Sequence, residues 1–169
     1  VWPDADHLPA KARPKQPPGT HIHGAVVLDD GDLVYNYEHL GLVRLDLCGD
    51  IVWRLPYRTH HSIELDDDGN LWVSAQINRT ARDARFPNYR PEFIEPMILE
   101  VSQDGRILRE ISVLGLLHDN GLDGLLYMST TKQADTTVTA DTLHLNDVEP
   151  FPSAMQPGRF GPGDLLVSL

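Results

Sequence analysis

A single cysteine, Cys48, stands among 169 residues, which excludes an internal disulfide and any multi-cysteine metal site. Positive charge is scarce as well. Fourteen Lys+Arg face 25 Asp+Glu for a net charge of −11, and that balance argues against nucleic acid or an anionic membrane surface as the main partner. No apolar run approaches the roughly 18–20 residues that a spanning helix needs. Neither a Gly-x-x-x-x-Gly-Lys loop nor a Rossmann fingerprint is present, so two common nucleotide-phosphate signatures are missing. The length suits one domain with a real core, and a hydrophobic fraction of 41% sets the chain apart from disordered sequences.

Turn chemistry is what the sequence has in quantity. Gly and Pro number 13 each, favouring many turns over long helices. Residues 1–19 hold five prolines and little periodicity. They read as an extended arm, lying on a partner or on the body of the domain. From Ile22 the pattern is strand, turn, strand. His23 to Tyr35 carries an Asp-Asp-Gly-Asp turn between apolar runs, and glycine accepts the positive φ that such turns require. The same phrase returns from His61 to Val73, with Gly31 and Gly69 separated by 38 residues. A second hairpin type, Leu42 to Trp53 turning at Cys48-Gly49-Asp50, recurs from Met97 to Leu108. A third His-led phrase, His144-Leu-Asn-Asp-Val-Glu-Pro150, leads through a Pro/Gly-rich excursion to Gly163-Asp-Leu-Leu-Val167.

Four short strands per ~40 residues, repeated, is the signature of a β-propeller blade. The expected fold is therefore all-β, with propeller blades over residues 20–169. Segments 76–95 (Arg-rich) and 111–141 are expected to interrupt the blades. The second should hold a short amphipathic helix broken near Asn120-Gly121, and its Thr-rich part, 129–141, should be loop. The remainder accounts for roughly three blades, whereas closed propellers have roughly four to eight. The chain stops inside an apolar run ending at Leu169. The expectation is that further sequence completes the ring, or that a protein partner covers its open edge.

A hairpin returns the chain to the end it left from. Tyr35-Asn36-Tyr37 should lie near His23, the Arg-rich segment should emerge near His61, and the end of the chain should arrive beside His144. With radially arranged blades the three histidines converge on one face. Strand alternation turns His60 away from His61, toward packing or solvent. His7, His39 and His118 have no motif context. A buried histidine bonded to a neighbouring backbone is the alternative for His61 and His144, and the more natural one for His23. The arginines of 79–90 match oxyanion geometry, although a solvated insertion loop is the more natural reading of them. Asp66-Asp67-Asp68-Gly69-Asn70 lacks the spacing of a calcium loop and reads as hairpin turn chemistry.

Three phrases together, Thr59 to Val73 (THHSIELDDDGNLWV), His144 to Pro150 (HLNDVEP) and Leu42 to Pro56 (LVRLDLCGDIVWRLP), resemble the bacterial arylsulfotransferase family that works without 3′-phosphoadenosine-5′-phosphosulfate. The resemblance covers most of residues 20–110 and 141–169. It implies a six-bladed propeller, a periplasmic or extracytoplasmic setting and no cofactor or metal. It further implies ping-pong transfer of a sulfuryl group from an aryl sulfate to a phenol through a histidine. His61 and His144 match family site histidines and Asn146 a family asparagine, while His23 and Arg79 are further candidates for substrate binding. An arginine and the covalently sulfated histidine of the family are expected past Leu169. Two other readings stand beside this one: a non-catalytic propeller serving as scaffold or accessory subunit, and a calcium-centred lactonase-like hydrolase.

Overall fold

The computed structural model describes residues 22–127 and 138–169; the Pro-rich arm of 1–19 lies outside them. Within them the protein is all-β apart from one short α-helix and a 3-10 turn at Asp123–Tyr127. Strands β1 (Ile22–Val27), β2 (Leu33–Tyr37), β3 (Gly41–Leu45) and β4 (Ile51–Leu55) form one antiparallel sheet in sequence order. Strands β5 (Thr59–Leu65), β6 (Leu71–Arg79), β7 (Tyr89–Val101) and β8 (Ile107–Ser112) repeat that meander. A three-residue strand, β9 (Val138–Ala140), runs parallel to β7, and β10 (Asp147–Pro150) pairs antiparallel with β11 (Leu165–Ser168).

The repeated turns are built alike. Leu28 N donates to Asp32 O at 2.8 Å and Gly31 N to Leu28 O at 2.9 Å; Asp66 N donates to Asn70 O and Gly69 N to Asp66 O, both at 3.0 Å. Gly31 and Gly69 take φ of 90° and 79°, the left-handed region that a β-carbon disfavours. The acidic run at 66–70 spends its first carboxylate internally. Asp66 accepts from the backbone N–H groups of Asp68 and Asn70 and from Trp72 Nε1 at 2.9 Å.

Apolar alternation packs the sheets face to face. Leu28, Val34 and Leu42 of the first half meet Ile63, Leu71, Val73, Leu99 and Val101 of the second in one buried cluster. Each such side chain contributes roughly 1.5–3 kcal/mol on burial. Trp53 reaches across to donate its indole N–H to Gln103 O at 2.7 Å. On the far side of the second sheet, Trp72, Ile98, Val113, Leu114, Leu145 and Val148 form another cluster, which seats β10 and the helix.

The Arg-rich segment differs from the expected loop. Strands β6 and β7 continue their ladder into it, pairing Ile77 with Glu95, Asn78 with Ile94 and Arg79 with Phe93. Three aromatics drive this extension: Phe86, Tyr89 and Phe93 are buried in the same cluster as Leu126. Helix α1 (Val113–Asp119) begins at Ser112, whose hydroxyl accepts from Gly115 N at 2.9 Å, and ends at Asn120 before Gly121. The short helix and its break fall where the sequence indicates. Residues 138–140, expected as loop, pair with β7 instead.

Candidate functional site

Strands β1 and β10 both lie against β5, which brings together the starts of the His-led phrases. Tyr37 pairs with Ile22, and Asn146 N donates to Ser168 O at 2.9 Å, so both hairpins return to the histidine end as expected. Rings from five histidines gather there. His61 Nε2 lies 2.9 Å from His144 Nε2. The rings of His23 and His61 are 4.2 Å apart, those of His60 and His61 5.0 Å, those of His60 and His144 6.0 Å and those of His39 and His60 5.3 Å.

His60 departs from the simple alternation. The register of β5 against β6 slips between His60 and Ile63, and His61 takes φ of 56°. That bulge inserts an extra residue and re-aims the side chain that follows it. His60 and His61 therefore enter one cluster instead of opposite faces. His39, which has no motif around it, reaches the group through its own left-handed turn at φ 61°, with its N–H donating to Thr59 O at 2.8 Å. Glu38 lies between two of the rings, 3.8 Å from His23 Nδ1 and 3.7 Å from His39 Nε2.

Neighbouring elements clamp the bulge. Asn36 of β2, fully buried, donates from Nδ2 to His61 O at 2.8 Å. Gly24 faces the same carbonyl, and a β-carbon there would collide with it. From the other side Ser62 donates its hydroxyl to Asp147. His144 is held at Nδ1 by Asp141, and Asn146 Nδ2 donates to His144 O at 2.9 Å. Asp141, Asn36 and His39 escape a motif reading. The one sequence signal for Asp141 is an acid three residues before a motif histidine.

An open pocket of about 310 Å³ lies beside this cluster, lined by His23, Gly24, His61, Ser62, Glu64 and Asn146 among others. Three sequence candidates, His23, His61 and Asn146, thus share one cavity, with His144 bonded to it through His61. Arg79 is engaged elsewhere: it forms an ion pair with the buried carboxylate of Glu95, which also accepts from Ser112. On β6 it stands four residues beyond Ala75, the partner of Thr59.

Burial disfavours the charged form of three of these rings, His60, His61 and His39. Burial, reinforced by His61, His39 and His144, pushes the His60 imidazole down to about 3. Burial first, then His23 and His144, lowers His61, and burial also lowers His39. Glu64 at the pocket moves the other way, raised by burial and by Asp147 and Glu149. Asn36 Oδ1, Thr59 Oγ1, His60 Nδ1 and Ser74 Oγ are buried without a hydrogen-bond partner in the protein. Such orphaned atoms cost stability and concentrate where a fold is shaped for something other than stability. Among the described residues no group of three or more His, Cys, Asp or Glu is arranged to hold a metal ion. The chemistry on offer is that of imidazole: N–H donors, and lone pairs able to act as base or nucleophile.

A family model described as arylsulfotransferase (ASST) matches residues 24–169. The chain belongs to that family. No curated protein matches it. Among solved structures, a virginiamycin B lyase from Staphylococcus aureus is 17% identical, with 56% of this chain covering 42% of that one at a TM-score of 0.30. A streptogramin B lyase is 15% identical, with 59% of this chain covering 43% of it at a TM-score of 0.30. This arylsulfotransferase-family chain therefore spans under half the length of either structure.

Proposed function

We propose that the protein transfers a sulfuryl group between phenolic compounds through histidine, at the centre of a six-bladed propeller to which the sheets described above contribute blades. The observation that carries this reading is the 2.9 Å contact between His61 and His144, residues from two separate phrases of the repeat. Family membership and the side-by-side packing of β1, β5 and β10 support it. In the first half-reaction a histidine nitrogen lone pair attacks sulfur of an aryl sulfate, the bond from sulfur to the aryl oxygen breaks, and a phenolate leaves. In the second, a phenol oxygen attacks the same sulfur, the sulfur–nitrogen bond breaks, and the phenol proton passes to a base. Once His61 takes up a proton, it and His144 hold the sulfuryl oxygens or protonate the departing phenolate through N–H groups. Donors fixed in advance around a charged transition state are the main contribution a protein makes to such a step. A pocket of about 310 Å³ suits a substituted phenyl ring, and the setting we propose is periplasmic or extracytoplasmic.

The test is turnover of an aryl sulfate by the full-length protein with a phenol acceptor. His61→Ala and His144→Ala are each expected to lower the rate by about 10²–10⁴-fold. Absence of sulfated acceptor with the unaltered protein, or unchanged turnover in both variants, contradicts the reading. A scaffold function is the second reading. It is favoured by the outer strands, where Val52 on β4 and Leu166 on β11 are 51% and 54% exposed and each strand has one partner in its sheet. Stable co-purification of another chain, together with no sulfuryl transfer, would support it.

A further inference from the structure

Two ring nitrogens 2.9 Å apart share one proton between neutral imidazoles, so the contact between His61 and His144 requires one ring to donate and the other to accept. Which ring donates is decided outside the pair. Asp141 presents a carboxylate oxygen to His144 Nδ1, and an ionised carboxylate accepts only. The Nδ1 of His144 therefore carries the proton, and its Nε2, bare in the neutral ring, accepts from His61 Nε2–H. His61 is left with a bare Nδ1. A carboxylate at one end thus dictates the tautomer of two histidines in sequence, of which the second lines the pocket.

We propose that Asp141 is a positioning residue: through His144 it fixes His61 as the Nε2–H tautomer and gives the pocket histidine a defined lone pair on Nδ1. The tautomer assignment stands on geometry alone, and its consequence for rate rests on the proposed sulfuryl transfer. Other groups are poorly placed to take over the role. Glu38 sits by His23 and His39, Asp147 is engaged by Ser62, and the Asn146 amide is spent on His144 O. Asp141 itself is half-sheltered, with its side chain 26% exposed, so its bond to the imidazole is only partly open to competition from water.

Side-chain nitrogen resonances of the full-length protein labelled with 15N-histidine, recorded at pH 8, read the tautomers directly. The expected pattern is a protonated Nδ1 and bare Nε2 on His144, with the reverse on His61. In Asp141→Ala both rings should become tautomer mixtures. Asp141→Asn, which keeps the shape and loses the charge, should give an intermediate mixture and serves if the alanine variant fails to fold. A bare Nδ1 on His144 in the unaltered protein, or tautomers unmoved by either substitution, overturns the proposal. A residue that merely tied down the chain before β10 would alter stability and leave the tautomers as they were. In the aryl sulfate assay, Asp141→Ala is expected to lower kcat about 10²-fold with KM changed less than about threefold. The expected tautomers in a protein without sulfuryl transfer would leave the positioning role standing and remove the proposed function. Sulfuryl transfer with tautomers independent of Asp141 would do the opposite.

Discussion

The hairpins β1–β2 and β5–β6 carry one phrase twice, 38 residues apart, and they make the same irregularity in the same place. The first slips register between Ile22 and Ala25, the second between His60 and Ile63. The shared bulge aims His23 and His61 at one spot, where their rings lie 4.2 Å apart. What differs is the surroundings. The second hairpin is covered on both faces, by the cluster shared with the first sheet and by the cluster that seats β10. Ile22, on the less covered hairpin, is 46% exposed, while the equivalent His60 is 2% exposed. Gly24 is a glycine because the His61 carbonyl occupies the space a side chain would fill; the equivalent Ser62 has room for a hydroxyl and uses it on Asp147. A repeated local pattern sets the bend, and the neighbouring sheet decides which residue tolerates it.

Exchanging the two residues is the strongest way to break this comparison. Gly24→Ser forces a β-carbon into backbone and is expected to cost about 3 kcal/mol. Ser62→Gly loses one hydrogen bond and some backbone stiffness, about 1–2 kcal/mol. Urea unfolding of both variants measures the asymmetry, and equal losses would show the two bulges to be equivalent. Next in size is Asn36→Ala, which strips the donor from the His61 carbonyl and should cost about 1–3 kcal/mol, read in the same way.

Acid should act on the second hairpin in particular. The folded-state pKa of His60 is lowered to about 3 from 6.5, so below pH 6.5 the unfolded chain binds a proton that the folded chain refuses. The stability from this group is complete above pH 6.5 and declines as pH falls toward 3. Between pH 7 and pH 5 the loss should be about 1–2 kcal/mol, and His60→Phe should remove that part of the pH dependence. The smallest effect concerns strain. His61→Gly relieves the left-handed backbone at φ 56° and should leave the protein about 1 kcal/mol more stable than His61→Ala; equal melting curves would mean that His61 stores no strain.

Turns were the most legible part of the molecule. Asp-Gly hairpins at Gly31 and Gly69, the helix break at Asn120-Gly121 and the meeting of His23 with His61 all follow from local turn chemistry and from hairpins that return to their origin. Less legible was anything set by contacts between sheets. The bulge that swings His60 inward depends on Asn36 and Gly24 of the preceding sheet and on Asp147 after it, none of which lies near it in sequence. The Arg-rich segment reads as solvated by composition, yet Phe86, Tyr89 and Phe93 anchor it as strand against Leu126. Arg79, chosen as an anion ligand for its charge, is held by Glu95, a carboxylate buried among apolar strand residues that a charge count treats as surface.

In the proposed function, the histidines gathered by these repeats pass a sulfuryl group from one phenol to another. Initial velocities of phenolate release, measured with the full-length protein while aryl sulfate and acceptor phenol are varied together, test it most directly. Transfer through a histidine predicts parallel lines in the double-reciprocal plot, with sulfated acceptor formed mole for mole with released phenolate. Intersecting lines, or phenolate release that ignores the acceptor, would contradict it.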